Sequence, residues 1–334
     1  MLKRFFILQF FFITMLFSIC YDPWFTGPLL AVSGNINAKG EISAQLYIYF
    51  IDTYGSYERD WSKNNYAVSR YTVISSPSLK IGLTPWMDAS ISTGVNISYS
   101  QGIESTQFRD SSLSFGIKLM EEEKDSLQPA VKLILKEIFP TGKYQYLDSS
   151  KSFLDATGSG SFQTVFGLNF SKIYCWFENH PIEFFVNVDY SFPYKVKINS
   201  RNIYTTFPPI GTGIVYLGNT LDFIFSFDYS ITQRFALSMD FSYSYVSKTR
   251  FKGTRVIETS ELIPLAPIQN PIIPAPPSLV VSQIDRREAI LTLSPALEYN
   301  LNENFGFIVS FWTSITGKNV PAFYSASGAV GISF

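Results

Sequence analysis

The sequence predicts an all-β protein, a transmembrane antiparallel up-and-down β-barrel of about 12 strands, with a cleavable signal peptide in front of it. Apolar and polar residues alternate through many segments, as expected for strands with one face toward lipid and the other toward a lumen. Beyond the N-terminus, no unbroken apolar run approaches the roughly 20 residues of a membrane-spanning helix. Any membrane-spanning structure must therefore be a closed barrel.

The first 20 residues have the pattern of a signal peptide. Lys3 and Arg4 precede an apolar run over residues 5–19, and polar and turn-forming residues follow. The run is shorter than a lasting membrane helix and is interrupted by polar side chains. We therefore expect residues 1–20 to direct export and to be removed.

An N-terminal segment, residues 21–42, separates the signal peptide from the first strand. It contains the apolar side chains of Trp24, Phe25, Leu29 and Leu30. Two arrangements are open: a periplasmic tail, or a plug that folds into the lumen. Burial of apolar surface in a barrel mouth slightly favours the plug.

Alternation at period two is clearest over residues 220–245. Leu221 and Phe223 alternate with polar residues such as Asp222, and Phe241 and Tyr243 continue the pattern in the second half. A helix would scatter these rings around its circumference, whereas a strand places them on one face. The same analysis over residues 43–334 predicts twelve strands. These are 43–53, 70–83, 87–100, 110–119, 128–139, 159–171, 182–193, 218–229, 235–247, 288–299, 305–316 and 323–334.

The connections between these strands support the strand count. They are alternately short and long, as for periplasmic turns and outer loops of bacterial barrels. The longest predicted loop, 248–287, contains the proline-rich run 262–279, which cannot be a barrel strand because proline removes a ladder donor. The sequence therefore predicts an extended outer loop there.

The last strand ends in an aromatic residue, Phe334. An apolar, alternating final strand of this kind resembles the terminal signal by which outer-membrane barrels are recognised for assembly. We therefore expect the barrel assembly machinery to be a partner, together with outer-membrane lipid, and the bacterial outer membrane to be the location.

Charged residues fall on the predicted inner face and divide around the wall. Charge on the lipid face is costly, which sets the register, and facing rows of opposite sign would give a transverse field across a passage. The alternative is that the charges pair and fill the barrel. The basic wall consists of Lys80, Lys118, Lys132 and Lys136, and the acidic wall of Glu183, Asp189, Asp222, Asp228, Asp240 and Glu298.

The sequence offers no candidate for catalysis, for a cofactor or for a metal site. The lone histidine, His180, lies in a predicted turn, where a Ser-His hydrolase would not place its base, and one His is a poor basis for a metal site. The formal net charge of −1 suggests no nucleic-acid partner. We therefore expect a protein that is not an enzyme.

One loop motif resembles a known family. The fifth strand runs into Pro140, Thr141, Gly142, Lys143 and Tyr144, and a Gly-Ser-Gly restart follows at 158–160. This run is similar to the outer-membrane barrel family of predicted transporters of the meta-pathway of phenol degradation, with looser agreement over most of the mature chain. The resemblance implies a channel or transporter, and the proline-rich loop departs from the family pattern.

Two functions follow as hypotheses. The first is a porin-like channel for passive uptake or efflux of small solutes. Apolar or aromatic solutes fit this hypothesis because Tyr47, Tyr49, Phe185 and Trp312 occupy predicted interior positions. The second is a structural or adhesin-like surface barrel that acts through its outer loops.

Overall fold

The computed structural model describes residues 23–123, 126–177, 180–204, 211–255, 279–281 and 286–334. The predicted signal peptide and the proline-rich run up to residue 278 lie outside these ranges. No helix among the described residues is long and apolar enough to cross a membrane.

The described chain forms 17 β-strands and a single 3-10 turn, Ser149–Lys151, in one outer loop. The strands are β1 (Ile42–Tyr57), β2 (Lys63–Thr84), β3 (Met87–Ser92), β4 (Val95–Ser100), β5 (Ile103–Phe108), β6 (Ser111–Met120), β7 (Ala130–Phe139), β8 (Gln163–Phe177), β9 (His180–Pro193), β10 (Val196–Ile198), β11 (Gly211–Tyr216), β12 (Thr220–Thr232), β13 (Phe235–Arg255), β14 (Leu279–Val281), β15 (Arg286–Asn302), β16 (Phe305–Lys318) and β17 (Val320–Ser333).

The strands close into an antiparallel barrel of 12 staves. A stave here is one strand of the barrel wall, whether it is continuous or interrupted. Strand β1 pairs with both β2 and β17, which joins the two ends of the sheet. Two neighbouring staves are each made of two strands, β3 with β4 and β5 with β6, because both are interrupted at the same level, at Thr93–Gly94 and Arg109–Asp110. The predicted fold class and all twelve predicted strands are confirmed.

Several strands extend farther than predicted. The predicted loop 101–109 is wrong for most of its length, because β5 pairs with β4 from Val95↔Phe108 to Ser100↔Ile103. The polar residues of β5 hid the strand, since a hairpin that projects beyond the lipid does not need an apolar outer row. In the predicted loop 194–217, β10 and β11 join the end of β13 and β14 in a small outer sheet.

The two faces of the barrel differ in the way the alternation predicts. On β12 and β13, Phe223 and Phe241 are about two-fifths exposed on the outer face, whereas Asp228 and Asp240 are fully buried inside. Phe225 pairs across from Phe241, and the ring centroids are 6.2 Å apart. Apolar side chains on the outside and polar side chains inside are the arrangement of a barrel in lipid.

Candidate functional site: the barrel lumen

Acidic side chains form a continuous row on one side of the lumen. On β9 and β12, Glu183 lies across from Asp228, and Asp189 lies across from Asp222. On β13 and β15, Asp240 is opposite Ser294, and Glu298 is opposite Ala236. Asp228, Asp240 and Glu298 are fully buried, so this side of the lumen is shielded from bulk solvent.

The predicted lysines lie on β2, β6 and β7. Lys132 is buried close to Asp88. Both side chains lie against Gly116, at the place where a Cβ atom of that residue would be. Lys118 instead reaches Glu121 at 2.9 Å near the end of its strand. Lys136 on β7 and Asp189 on β9 both flank β8, so the predicted basic and acidic rows come nearest to each other at this part of the wall.

Within the described ranges, no salt bridge of 4 Å or less joins a lysine of the basic row to a carboxylate of the acidic row. Backbone groups of the N-terminal segment serve instead. The Thr26 N–H donates to Glu298 Oε2 at 3.0 Å, and the Leu30 and Ala31 N–H groups donate to the Asp240 carboxylate, both at 3.3 Å. In each of these bonds a backbone N–H of the segment donates to a carboxyl oxygen of the wall.

The same segment contacts the other side of the lumen. Asn187 on β9 binds Val32 twice, accepting from its N–H at 2.7 Å and donating to its carbonyl at 2.8 Å. Lys132 Nζ donates to the Asn35 carbonyl at 2.7 Å, and Asn37 N–H donates to Asp88 Oδ2 at 3.3 Å. The segment therefore donates N–H groups to carboxylates and offers a carbonyl to a lysine. Its backbone polar groups thus complement the charged side chains of the lumen.

Apolar contacts fix the middle of the segment. Leu29 is buried against Ala296, Ile308 and Ala329, and Tyr47, Tyr49 and Trp312 pack around this cluster. At Gly34 the backbone comes so close to β7 that an added Cβ would lie 2.4 Å from the Ala130 carbonyl oxygen. Residues 26–37 thus contact inward-facing side chains of strands around most of the circumference of the lumen.

A cavity of about 390 Å³ lies beside this segment. Leu30 contributes one wall, and Tyr49, Ile51, Ile74 and Trp312 contribute apolar and aromatic surface. The remaining lining comes from β2 and the interrupted staves: Ser76, Ser92, Thr93, Gly94, Arg109 and Asp110. The volume falls within the range of small-molecule pockets.

The loop motif at 140–144 binds neighbouring residues at the outer end of the barrel. Thr141 Oγ1 donates to the Arg109 carbonyl at 2.8 Å, and the Gly142 N–H donates to Asp110 Oδ1 at 2.9 Å. Lys143 Nζ binds Asp155, whose side chain is fully buried, at 2.7 Å. This ion pair joins two parts of the outer loop. Removal of either partner would be unfavourable, because it would leave the other charge unpaired.

Tyr144 completes the motif by packing on the restart of the chain. Its ring lies so close to Gly160 that an added Cβ would be 2.4 Å from Cδ2, and Gly160 has a φ of +69°. Tyr204 donates from its hydroxyl to the Ser159 carbonyl. Burial raises the pKa of Tyr204, and burial likewise raises the pKa of Tyr144, so both hydroxyls stay neutral at physiological pH.

Sequence reasoning missed the amide and hydroxyl groups that bind the N-terminal segment and the arginine of the cavity. Asn187, Ser171 and Asn300 are ordinary polar residues of the inner rows, and nothing in their spacing marks them as ligands of a backbone. Arg109 lay within a predicted loop. The sequence feature that could have identified Arg109 is its position, as a single basic residue between two segments of alternating apolar and polar residues.

The fold is similar to solved outer-membrane proteins. An outer-membrane channel from Pseudomonas putida F1 superimposes with a TM-score of 0.67 at 10% identity, over 93% of this chain and 100% of that chain. The NanC porin gives 0.41 at 9% identity over 86% and 98% of the two chains, and a mutant of the monoaromatic hydrocarbon channel TodX gives 0.39 at 10% identity over 89% and 91%. No family model and no curated protein matches the sequence. The first likeness, together with the closed 12-stave barrel, identifies the fold as that of an outer-membrane β-barrel.

Proposed function

We propose that the protein is an outer-membrane channel for passive movement of small solutes, and that its N-terminal segment restricts the passage. The observation that carries the proposal is the way the segment is held. Along the lumen it is bound by hydrogen bonds to single side chains, such as Glu298, Asp240 and Lys132, and these can be exchanged for water when the segment leaves. Among the described residues, backbone hydrogen bonds hold only its two ends, from Trp24 to Gln233 and from Gly40 to Gly82.

The interior supports this role. Asp240, Glu298 and Lys132 of the predicted charged walls bind the segment, so its departure would leave polar groups that water wets. The proposed basic and acidic walls would then border an aqueous passage with a transverse field. A chain selected only for a solid barrel would gain more from apolar packing, because buried charges are costly.

The aromatic side of the lumen supports an apolar or aromatic solute. Tyr47 and Tyr49 stack with centroids 6.3 Å apart, and Trp312 meets Tyr49 edge-on at 5.9 Å. The relation to phenol degradation implied by the PTGKY resemblance belongs to this proposal as well. Membrane lipid and the assembly machinery at Phe334 remain the expected partners.

Uptake into proteoliposomes tests the proposal. We expect small neutral solutes to swell proteoliposomes that contain the full chain faster than protein-free liposomes, and a variant without residues 23–40 to admit them faster still. Absence of swelling with both proteins contradicts a channel. The barrel fold of each protein is checked by its shifted mobility in unheated gel samples.

A surface-interaction barrel is the second candidate, and the outer sheet favours it. Val196, Ile198, Val215 and Phe251 form a fully enclosed small core in that sheet, so the outer end carries ordered structure beyond what a pore requires. In this case deletion within 248–287 abolishes binding of cells to a surface, while proteoliposomes admit no solute.

A further inference from the structure

We propose that the lumen cavity is a binding site for a small aromatic acid, with Arg109 as the group that binds its carboxylate. The proposal rests on the channel function and names the class of its solute. The lining residues include one cation, Arg109, and one carboxylate, Asp110, and the others are aromatic, aliphatic or hydroxylic apart from Gly94.

The charge of Arg109 is not committed to a carboxylate among the described residues. No salt bridge or cation–π contact there involves its guanidinium. Its sequence neighbour Asp110 accepts instead from the Gly142 N–H at 2.9 Å and from the Ser159 N–H at 2.8 Å. Both Asp110 carboxylate oxygens are thus bound by N–H groups of the outer loops, and no salt bridge among the described residues joins Asp110 to the guanidinium.

Gly94 places the guanidinium at the cavity. The Arg109 N–H donates to the Gly94 carbonyl at 2.8 Å, and an added Cβ at Gly94 would lie 3.2 Å from Arg109 Cδ. The side chain therefore lies across a residue that has no side chain of its own. Arg109 lies at the break between β5 and β6, level with the break between β3 and β4. These two breaks allow the Arg109 side chain to turn toward the lumen.

The hydroxyl groups of the same wall are already hydrogen-bonded to their neighbours. Ser76 donates to the Thr93 carbonyl at 3.1 Å, and Ser92 binds Ser112 at 2.8 Å. A guanidinium presents a planar set of N–H donors that fits a carboxylate and stays protonated at physiological pH. Arg109 is therefore the group best placed to orient a solute.

The opposite wall is built for a ring. Trp312 is fixed by a hydrogen bond from Nε1 to Thr292 Oγ1 at 2.8 Å and by an edge contact with Phe323 at 4.7 Å. Together with Tyr49 and Ile74 it offers a rigid apolar surface, on which aromatic rings pack in edge or offset geometry. One guanidinium and an apolar wall suit an aromatic monocarboxylate better than a phosphate, which takes several cations or N–H donors.

Calorimetric titration of the full-length purified protein with benzoate and with benzyl alcohol tests the site. The two probes share the ring and differ in charge. We expect benzoate to bind about tenfold more tightly, R109Q to remove that preference while the affinity for benzyl alcohol stays, and R109K to retain part of it. The matched control is R59Q, which removes an arginine from an exposed outer turn and should leave both affinities unchanged.

Equal affinity of the wild-type protein for both probes, or an undiminished preference in R109Q, overturns the site. The swelling experiment separates this outcome from failure of the channel. Arg109-dependent binding without solute uptake refutes the channel and leaves the site, whereas uptake without a benzoate preference refutes the site and leaves the channel.

Discussion

Single side chains decide how the lumen is occupied. Lys132 shows this most clearly, because it is almost fully buried yet has a specific partner, the Asn35 carbonyl, and a nearby carboxylate, Asp88. A buried charge without such partners would be strongly unfavourable. The position was identifiable from the sequence as an inner-row lysine, but its partner is a backbone carbonyl, which no sequence pattern marks.

Substitution of Lys132 by Met should loosen the N-terminal segment. Met keeps an unbranched chain but cannot donate to Asn35, and a hydrogen bond from a charged donor contributes roughly 1.5–3 kcal/mol. We expect the open fraction in single-channel recordings to rise by about tenfold. The control is K80M, which removes the same charge from a position of β2, a strand separated from β7 by β3 and β6, where no side-chain hydrogen bond to the segment is present among the described residues. Equal behaviour of the two variants contradicts the account.

At the scale of elements, the N-terminal segment and the barrel wall fit each other by close backbone approach. Gly34 lies against β7 and Gly82 of β2 lies against Ala38, with added Cβ atoms 2.4 Å and 1.8 Å from carbonyl oxygens. A side chain at either position has no room. The segment is thus seated by shape as well as by hydrogen bonds.

Gly34→Ala should displace the segment without disturbing the barrel. The methyl group collides with the Ala130 carbonyl, which belongs to a rigid strand, so the mobile partner is the segment. We expect raised conductance and faster proteolysis near residue 34 in folded protein. Gly331→Ala is the matched control, because its nearest neighbour would be 3.6 Å away. Wild-type conductance in G34A would show that the segment does not sit against β7 in the membrane.

Strands were predictable from the sequence and their outer extensions were not, for a physical reason. Phe223 and Phe241 lie on the face that meets lipid, and Asp228 lies on the face toward the lumen. Because the two environments alternate along a strand, apolar and polar residues alternate with a period of two. In β5 the outward-facing row includes the polar residues Glu104 and Thr106, so the apolar period is absent. Arg109 was missed for the same reason, and the contacts of the N-terminal segment depend on tertiary geometry alone.

For the whole molecule, the central claim is that a closed 12-stave barrel holds its own N-terminal segment as a removable restriction. The segment contacts β15 and β13 on one side and β7 and β3 on the other. Between it and the outer loops lies the cavity that carries Arg109. The N-terminal segment, the cavity with Arg109 and the outer loops thus follow one another along the barrel axis.

Single-channel conductance in planar bilayers tests this claim most directly. The full chain is compared with a variant that lacks residues 23–40, each first shown to be folded by its mobility in unheated gel samples. The account predicts small or rare openings for the full chain and a larger, sustained conductance for the variant. The same conductance in both proteins would contradict it.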